Sequence, residues 1–445
     1  VMVQAKPYMD ELGVNVEACS NEASAAAMLG ASIHYPLRGA VTWKSIVGTN
    51  VAADALSNLS SPGVTGGVLI VVGEDYGEGA SVIQERTHAY AMKSSMCLLD
   101  PRPDLGKMVD MVEHGFRLSE ASNMPAIMEL RIRACHVRGS FTAKKNVSPA
   151  ISKHALMADP AKFDYSKLAH PPVTFGQEKL KFDKRIPAAR QYIVESGLNE
   201  IFEGTRHADI GIIVQGGVYN ALLRALQQFD LADAFGDTTV SLLVLNVTYP
   251  LVPDQLVQFC ANKRAVLLVE EGQPEYIEQE LATMLRRRDI ATPLHGKDFV
   301  QQAGELGVEA ICTALLPFVE RYLSAHPEPV KAWLAASQVR RGLASMMLAE
   351  PLPARPPSFC VGCPERPVFS ALKLAQQDIG AVHVAADIGC HALGTFEPFN
   401  TGHSILGYGM SLASRAGVSP VMARRTLAIM GDGGFWHNGL LTGVQ

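Results

Sequence analysis

Apolar and polar positions alternate along this chain in two rhythms. Short apolar runs of strand length are separated by stretches that repeat every three to four residues, as helices do. From Glu17 to Arg138 the pattern predicts an alanine-rich helix at Asn21–Ser32, a strand at Ala40–Thr42 and a helix near Asn50–Leu59. It continues with a strand at Val68–Val72, a polar loop to Arg86, a helix around Leu105–Ser119 and a strand at Ala126–Ile132. Apolar strands separated by helices imply parallel sheets covered on both faces. Before this region, an amphipathic helix begins at about Val3.

The stretch Val137–Arg185 holds lysine, proline and histidine without sustained periodicity and reads as a crossover. A second alternating unit follows, with strands at Ile210–Gln215, Ser241–Val247 and Ala265–Glu270 and helices at Asn220–Phe229, Asp254–Ala261 and Tyr276–Arg287. Four prolines within Pro351–Pro357 mark another linker. A third unit carries helix Val368–Gln376, strand Val382–Ala385, helix Gly407–Ala416 and strand Leu427–Met430. The expected organisation is therefore a first domain over 1–145, a crossover over 146–187, a middle α/β domain over 188–330, a linker over 331–357 and a last domain over 358–445.

Composition narrows the function classes. With 48% hydrophobic residues over 445 positions the chain can bury several cores. A net charge of −5 without a basic tract argues against nucleic acid as a partner. No apolar run reaches the roughly 18 residues that cross a membrane. The start Val1-Met2-Val3-Gln4 lacks the form of a signal peptide, so a cytoplasmic protein is expected. Five of the eight cysteines (Cys19, Cys97, Cys135, Cys260, Cys312) sit in apolar or helical contexts that suit reduced thiols.

The candidate chemistry lies near the end. Strand Leu427–Met430 runs into Gly431-Asp432-Gly433, a turn whose carboxylate suits Mg²⁺ and whose following amides, including Gly434, suit phosphate. Taken alone, the same tripeptide also fits an ordinary strand-to-loop turn. Upstream stand Cys360-Val361-Gly362-Cys363 and Asp387-Ile388-Gly389-Cys390-His391. A Cys-x₂-Cys pair with a third cysteine fits a 4Fe-4S cluster, a zinc site completed by His383, His391 or His403, or cysteines that only line a pocket. Gly216-Gly217 and Gly66-Gly67 make no dinucleotide fingerprint and read as tight turns, and Arg131 and Arg133 read as edge or interface charges.

Several ordered blocks resemble the thiamine-diphosphate subunit of the 2-oxoacid:ferredoxin oxidoreductases, most closely the indolepyruvate type. They are Val16–Glu22 with Ala26–Ala31, Val47–Asp54, Leu245–Leu251, Val269–Glu275, Cys360–Arg366, Asp387–Cys390 and Gly431–Gly433 with Phe435 and His437–Gly439. The resemblance implies several doubly wound parallel-sheet domains of the thiamine-diphosphate-binding type, in the order pyrimidine, middle and diphosphate. It assigns Glu22 to the cofactor's pyrimidine ring, with Glu17 the nearest competitor. Asp432 falls to Mg²⁺, Asp387, Ile388, Gly389, Cys390, His391, Gly431, Gly433 and Gly434 to cofactor contact, and Cys360, Cys363 and Cys390 to a 4Fe-4S cluster.

It further implies oxidative decarboxylation of an aryl 2-oxo acid such as indolepyruvate onto coenzyme A, with electrons passing to ferredoxin, a smaller partner subunit, and a dimer. A non-redox decarboxylase would share Glu22 and Asp432 without needing the cysteines, and an inactive scaffold would need neither. The family's Tyr-Pro-Gly-Thr-Pro type loop would precede Val1, and its second metal-ligating asparagine and fourth cysteine would follow Gln445. The chain is thus expected to be an internal piece of a longer polypeptide.

Overall fold

A computed structural model describes residues 2–77, 83–84, 86–145, 147, 163–323, 327–347 and 358–444. The linker prolines 351–357, and parts of the polar loop before Arg86 and of the crossover after Val137, lie outside the described residues. The chain forms two compact units, one of Glu22–Arg341 and one of Val1–Asn21 with Gly342–Gln445.

Among its described residues the larger unit contains ten strands: β1 (Gly39–Lys44), β2 (Val68–Glu74), β3 (Cys97–Leu99), β4 (Ala126–Arg131), β5 (Glu200–Phe202), β6 (His207–Gln215), β7 (Val240–Leu245), β8 (Val247–Tyr249), β9 (Ala265–Val269) and β10 (Leu294–His295). They form two five-stranded sheets, ordered β1-β2-β4-β3-β8 and β10-β9-β6-β7-β5. All neighbours are parallel except β8 on β3 and β5 on β7. Because β8 follows β7 after only Asn246, the second sheet's chain runs on directly into the first sheet.

Each sheet is covered on both faces. Ile70 and Val72 pack with Ala26, Ala52 and Leu56 on one side of the first sheet, while Leu69 and Met128 pack with Met111, Leu118 and Ala189 on the other. In the second sheet Ile212 and Val214 face Leu222 and Phe318, and Ile213 and Leu268 face Leu256 and Leu281. Successive strand residues therefore enter opposite cores, which is why these strands read as continuous apolar runs. The α/β fold of doubly wound, parallel-dominated sheets follows from these side chains. Ile70 is fully buried, and burying a side chain of that size stabilises by about 1.5–3 kcal/mol.

Helix Leu105–Ser122 shows local sequence at work. Asp104 caps it by accepting from Lys107 N at 2.8 Å, and Asn123 ends it in the left-handed conformation at φ 57°. Two expectations change here. Residues up to 346 of the expected 331–357 linker lie in helix Glu328–Met346, and the crossover contains helix Val173–Leu180 followed by a π-helical turn at Lys181–Arg185.

The smaller unit carries β11 (Val384–Ala386), β12 (Ser404–Ile405) and β13 (Leu427–Ala428) in one parallel sheet ordered β12-β11-β13. Helix Glu365–Ile379 precedes it, and helix Ser411–Val418 lies between β12 and β13. Phe359, Phe369 and Phe399 cluster with ring centroids 5.3–5.8 Å apart. No helix among the described residues is long and apolar enough to cross a membrane.

Candidate functional site

In an open parallel sheet, ligands enter at the carboxyl ends of the strands. In the smaller unit that end is built by two turns, one after β11 and one after β13. Asp387 immediately follows β11 and is wholly buried. Its Oδ1 accepts from Ile388 N at 2.8 Å and Gly409 N at 2.7 Å, and its Oδ2 accepts from Ser411 N at 2.9 Å. An ionised carboxylate is the natural acceptor for such amides, so Asp387 shapes the loop with its own oxygens already used.

The next residues reach the second turn. Gly389 leads into a 3₁₀ segment, Cys390–Thr395, that buries His391 and leaves the Cys390 thiol exposed. A Cβ added at Gly389 would come within 2.6 Å of His391 Cε1, and one at Gly431 within 3.2 Å of the same ring. One at Gly434 would lie 3.4 Å from Asp387 Oδ1. The turns at 387–391 and 431–434 are therefore neighbours.

Gly431 is extended (φ −79°, ψ 167°), and Asp432 then opens the short helix Asp432–Gly434, which runs on as the π-helical segment Phe435–Val444. The first amides of a helix lack partners within it and attract negative charge. Asp432 is exposed at this end. A Cβ at Gly433 would strike the Tyr408 hydroxyl. Tyr408 stacks at a tilt on His437, 4.8 Å between centroids, and Asn438 Nδ2 donates to Tyr408 O at 3.1 Å. Asn21 Nδ2 in turn donates to His437 O at 3.3 Å. Asn438 is thus tied to the loop, in keeping with a structural part rather than a metal ligand.

These details fit a diphosphate-bearing cofactor. The buried His391 ring carries an Nε2 with no hydrogen-bond partner among the described residues. Gly389, Gly431 and Gly433 stand where a side chain would meet His391 or Tyr408, so the two turns approach closely, and an exposed carboxylate sits at the helix start for a hard cation.

The cysteine and carboxylate candidates are placed differently. Cys360 and Cys363 share a turn, with Cys363 N donating to Cys360 O at 3.1 Å and Gly362 at φ 75°. Cys360 is exposed and Val361 is 100% exposed. Among the described residues no group of three or more His, Cys, Asp or Glu side chains stands ready to hold a metal ion. His383 and His403 stack at 5.0 Å before β11 and β12, at the opposite edge of the sheet from Asp387. Glu22 begins helix Glu22–Met28 in the larger unit and is partly buried, while Glu17 is exposed.

The larger unit holds a charged centre that the strand pattern concealed. Arg131, read from sequence as an edge or interface charge, is 2% exposed at the end of β4 and belongs to an interface between two sheets. It donates to Asp100 from Nε at 3.2 Å and from Nη2 at 2.6 Å, and its Nη1 donates to Glu271. Arg133 Nη2 also donates to Glu271, at 2.6 Å, and Arg86 donates to Glu270 at 2.9 Å. Gly217 N donates to Asp100 Oδ1 at 3.1 Å. The carboxyl ends of both five-stranded sheets are therefore stitched together by ion pairs. Burial works against the Arg131 charge, but Asp100, Glu271 and Glu129 outweigh it and hold its pKa above the usual value. The alternation of charged and apolar residues in Glu129–Arg133 was the available signal, though alternation cannot tell a buried charge from a solvated one.

No family model matches the chain. It is similar to indolepyruvate oxidoreductase subunit IorA along nearly its whole length. The Methanothermobacter thermautotrophicus protein of that name is 25% identical over 434 residues, which are 97% of this chain and 64% of the relative. The Thermococcus kodakarensis and Pyrococcus abyssi proteins of the same name are each 28% identical, covering 96% of this chain and 65% and 64% of theirs. The chain thus spans just under two thirds of these relatives' length, and the resemblance read from its motifs is borne out. Among solved structures, 2-oxoglutarate:ferredoxin oxidoreductase from Magnetococcus marinus superposes at a TM-score of 0.47 with 16% identity, over 70% of this chain and 58% of that one.

Proposed function

We propose that this chain is the main part of a thiamine-diphosphate-dependent oxidoreductase that decarboxylates an aryl 2-oxo acid, transfers the acyl group to coenzyme A and passes electrons to ferredoxin. The observation that carries this reading is the meeting of the 387–391 and 431–434 turns at the carboxyl end of one parallel sheet. The similarity to subunits named indolepyruvate oxidoreductase supplies the substrate class.

When bound, thiamine diphosphate supplies a carbon nucleophile for the 2-oxo group and an electron sink for the loss of CO₂. The residues of this chain position that chemistry. Asp432 would hold Mg²⁺, and the amides of Gly433 and Gly434 would supply donors for the diphosphate. His391 presents its unpartnered Nε2 to the bound group. Asp387 fixes the loop beneath through its three backbone amides. Glu22 acts on the pyrimidine nitrogen, holding the proton that sets the ring's tautomer. Cys360, Cys363 and Cys390 hold an iron-sulfur cluster as the one-electron acceptor. A smaller subunit, a dimer of the cofactor subunit and a cytoplasmic location belong to the same proposal.

The test is anaerobic reduction of a low-potential dye by the intact protein with its partner subunit, with and without coenzyme A. Reduction by indolepyruvate that depends on thiamine diphosphate supports the reading. CO₂ release without dye reduction would leave a simple decarboxylase.

A further inference from the structure

A cavity of about 610 Å³ lies within the larger unit, beside the joint of its two five-stranded sheets. Helices Ser45–Ser60 and Thr87–Ser94 wall it from the first sheet's side through Ala53, Ala89, Tyr90 and Lys93. Pro274 and Tyr276, at the start of helix Tyr276–Arg287, wall it from the second's. That volume suits a small molecule. Two cations, Arg86 and Lys93, stand in the lining, with no aspartate or glutamate among the described residues there. The walls are therefore cationic and partly aromatic.

Arg86 is 4% exposed. Its Nη1 donates to Glu270 Oε1 at 2.9 Å and to the Pro274 carbonyl, and its guanidinium carbon stands 5.1 Å from the centre of the Tyr276 ring. Pro274 and Tyr276 both line the cavity, so the charged end of Arg86 belongs to its wall. The other edge of the guanidinium, Nε with Nη2, is buried without a hydrogen-bond partner among the described residues. Donors buried and unpaired in this way are costly. Three other arginines of the chain put the same edge on a carboxylate. Arg38 donates to Glu120 at 2.7 and 2.8 Å, Arg102 to Glu200 at 2.9 and 3.4 Å, and Arg131 to Asp100 at 3.2 and 2.6 Å. Glu270 is not available to fill the edge of Arg86, because its oxygens also accept from Ile277 N at 3.1 Å and Glu278 N at 3.0 Å.

We propose that this cavity binds a small aromatic carboxylate, with its two oxygens on the Nε and Nη2 donors of Arg86 and its ring among Tyr90, Tyr276, Ala53 and Ala89. A planar carboxylate matches the two parallel donors of a guanidinium edge, and the bonds are charge-assisted. Lys93, whose Nζ donates to Ser57 Oγ at 2.9 Å, adds a second positive charge to the same wall. The tyrosine rings offer an aromatic body edge-to-face or offset contacts. Neither free nitrogen of Arg86 is open to water, so occupation displaces the wall slightly, and the tyrosines report it. None of the residues assigned to the cofactor lines this cavity, and the site stands apart from the thiamine-diphosphate reading.

The test is calorimetric titration of the intact protein with phenylacetate in the absence of thiamine diphosphate, with near-ultraviolet circular dichroism of the tyrosines read alongside. The neutral 2-phenylethanol and inorganic phosphate serve as comparison probes. The wild type is expected to take up phenylacetate with a change in the tyrosine signal, at least about tenfold more tightly than 2-phenylethanol, as a charge-assisted pair requires. Arg86→Gln should weaken phenylacetate at least about tenfold. Ala89→Phe fills the cavity while leaving Arg86 and its bond to Glu270 in place, and should weaken phenylacetate by a similar factor, so the test stands even if Arg86→Gln does not fold. No uptake of phenylacetate at millimolar concentration, equal affinity for the neutral alcohol, or undiminished binding in Ala89→Phe would overturn the proposal. Tighter binding of inorganic phosphate than of phenylacetate would overturn the assignment to a carboxylate.

Discussion

Replacing Arg131 by methionine tests whether the buried ion pairs hold the larger unit together. Arg131→Met keeps much of the side-chain volume but removes both bonds to Asp100, at 3.2 and 2.6 Å, and the bond to Glu271. It also removes a cation held 4.9 Å from the centroid of the Tyr76 ring. Asp100 and Glu271 are each no more than 1% exposed, so Asp100 is left without a cation where water cannot reach, while Glu271 keeps only its bond from Arg133 at 2.6 Å. Breaking one partner of a buried pair costs about 3–5 kcal/mol, a large share of the roughly 5–15 kcal/mol that stabilises a domain. Arg264, half-exposed and paired with Asp209 at 2.9 Å, is the control, because exposed pairs contribute about 0–1 kcal/mol. Urea unfolding followed by circular dichroism at pH 7 should show the large loss for Arg131→Met and little change for Arg264→Met. Added salt should alter only the control, since screening acts on exposed charges. Equal losses in the two variants would refute the reasoning.

Further outcomes follow from the smaller unit. Asp387→Ala orphans the buried amides of Gly409 and Ser411 and the part-buried one of Ile388 and should destabilise that unit by at least about 2 kcal/mol, given the worth of bonds to a charged acceptor, with Asp387→Asn intermediate; thermal unfolding reads this. Cys360→Ser should leave the melting temperature unchanged, because Cys360 is exposed, yet abolish iron uptake on anaerobic reconstitution with iron and sulfide. Iron content equal to that of the wild type would remove Cys360 from the cluster. Glu22→Gln should slow dye reduction by about 10²–10⁴-fold, the usual worth of a positioned proton-transfer group.

The long periodic elements were legible in the sequence. Helix Tyr276–Arg287 matches its expected bounds, and β2, β6 and β9 fall within two or three residues of theirs. The short strands were not. Cys97–Leu99, Glu200–Phe202 and Leu294–His295 hold two or three residues each, too few for a period to show, and they pair only because longer strands template them. The proline run at 351–357 drew the expected linker back to 331, although Glu328–Met346 carries good helix formers such as Ala335, Ala336 and Leu343.

The site divides along the same line. Gly431-Asp432-Gly433 and Asp387–His391 declared themselves by residue type and spacing, and the fold brings their turns together. What Asp387 does there depends on the loop residue Gly409 and on Ser411, the first residue of helix Ser411–Val418, neither with a motif of its own. Of the two readings left open for Arg131, edge or interface, the structure takes the second, and its partners Asp100 and Glu271 lie 31 and 140 residues away, beyond the reach of any local pattern.

Calorimetric titration of the intact protein with thiamine diphosphate, with and without Mg²⁺, tests the central claim most directly when run beside Asp432→Ala. The account predicts Mg²⁺-dependent binding by the wild type and a loss of at least about tenfold in affinity for the variant, or about 1.4 kcal/mol. Binding that is absent from the wild type, or unchanged in Asp432→Ala, would contradict it.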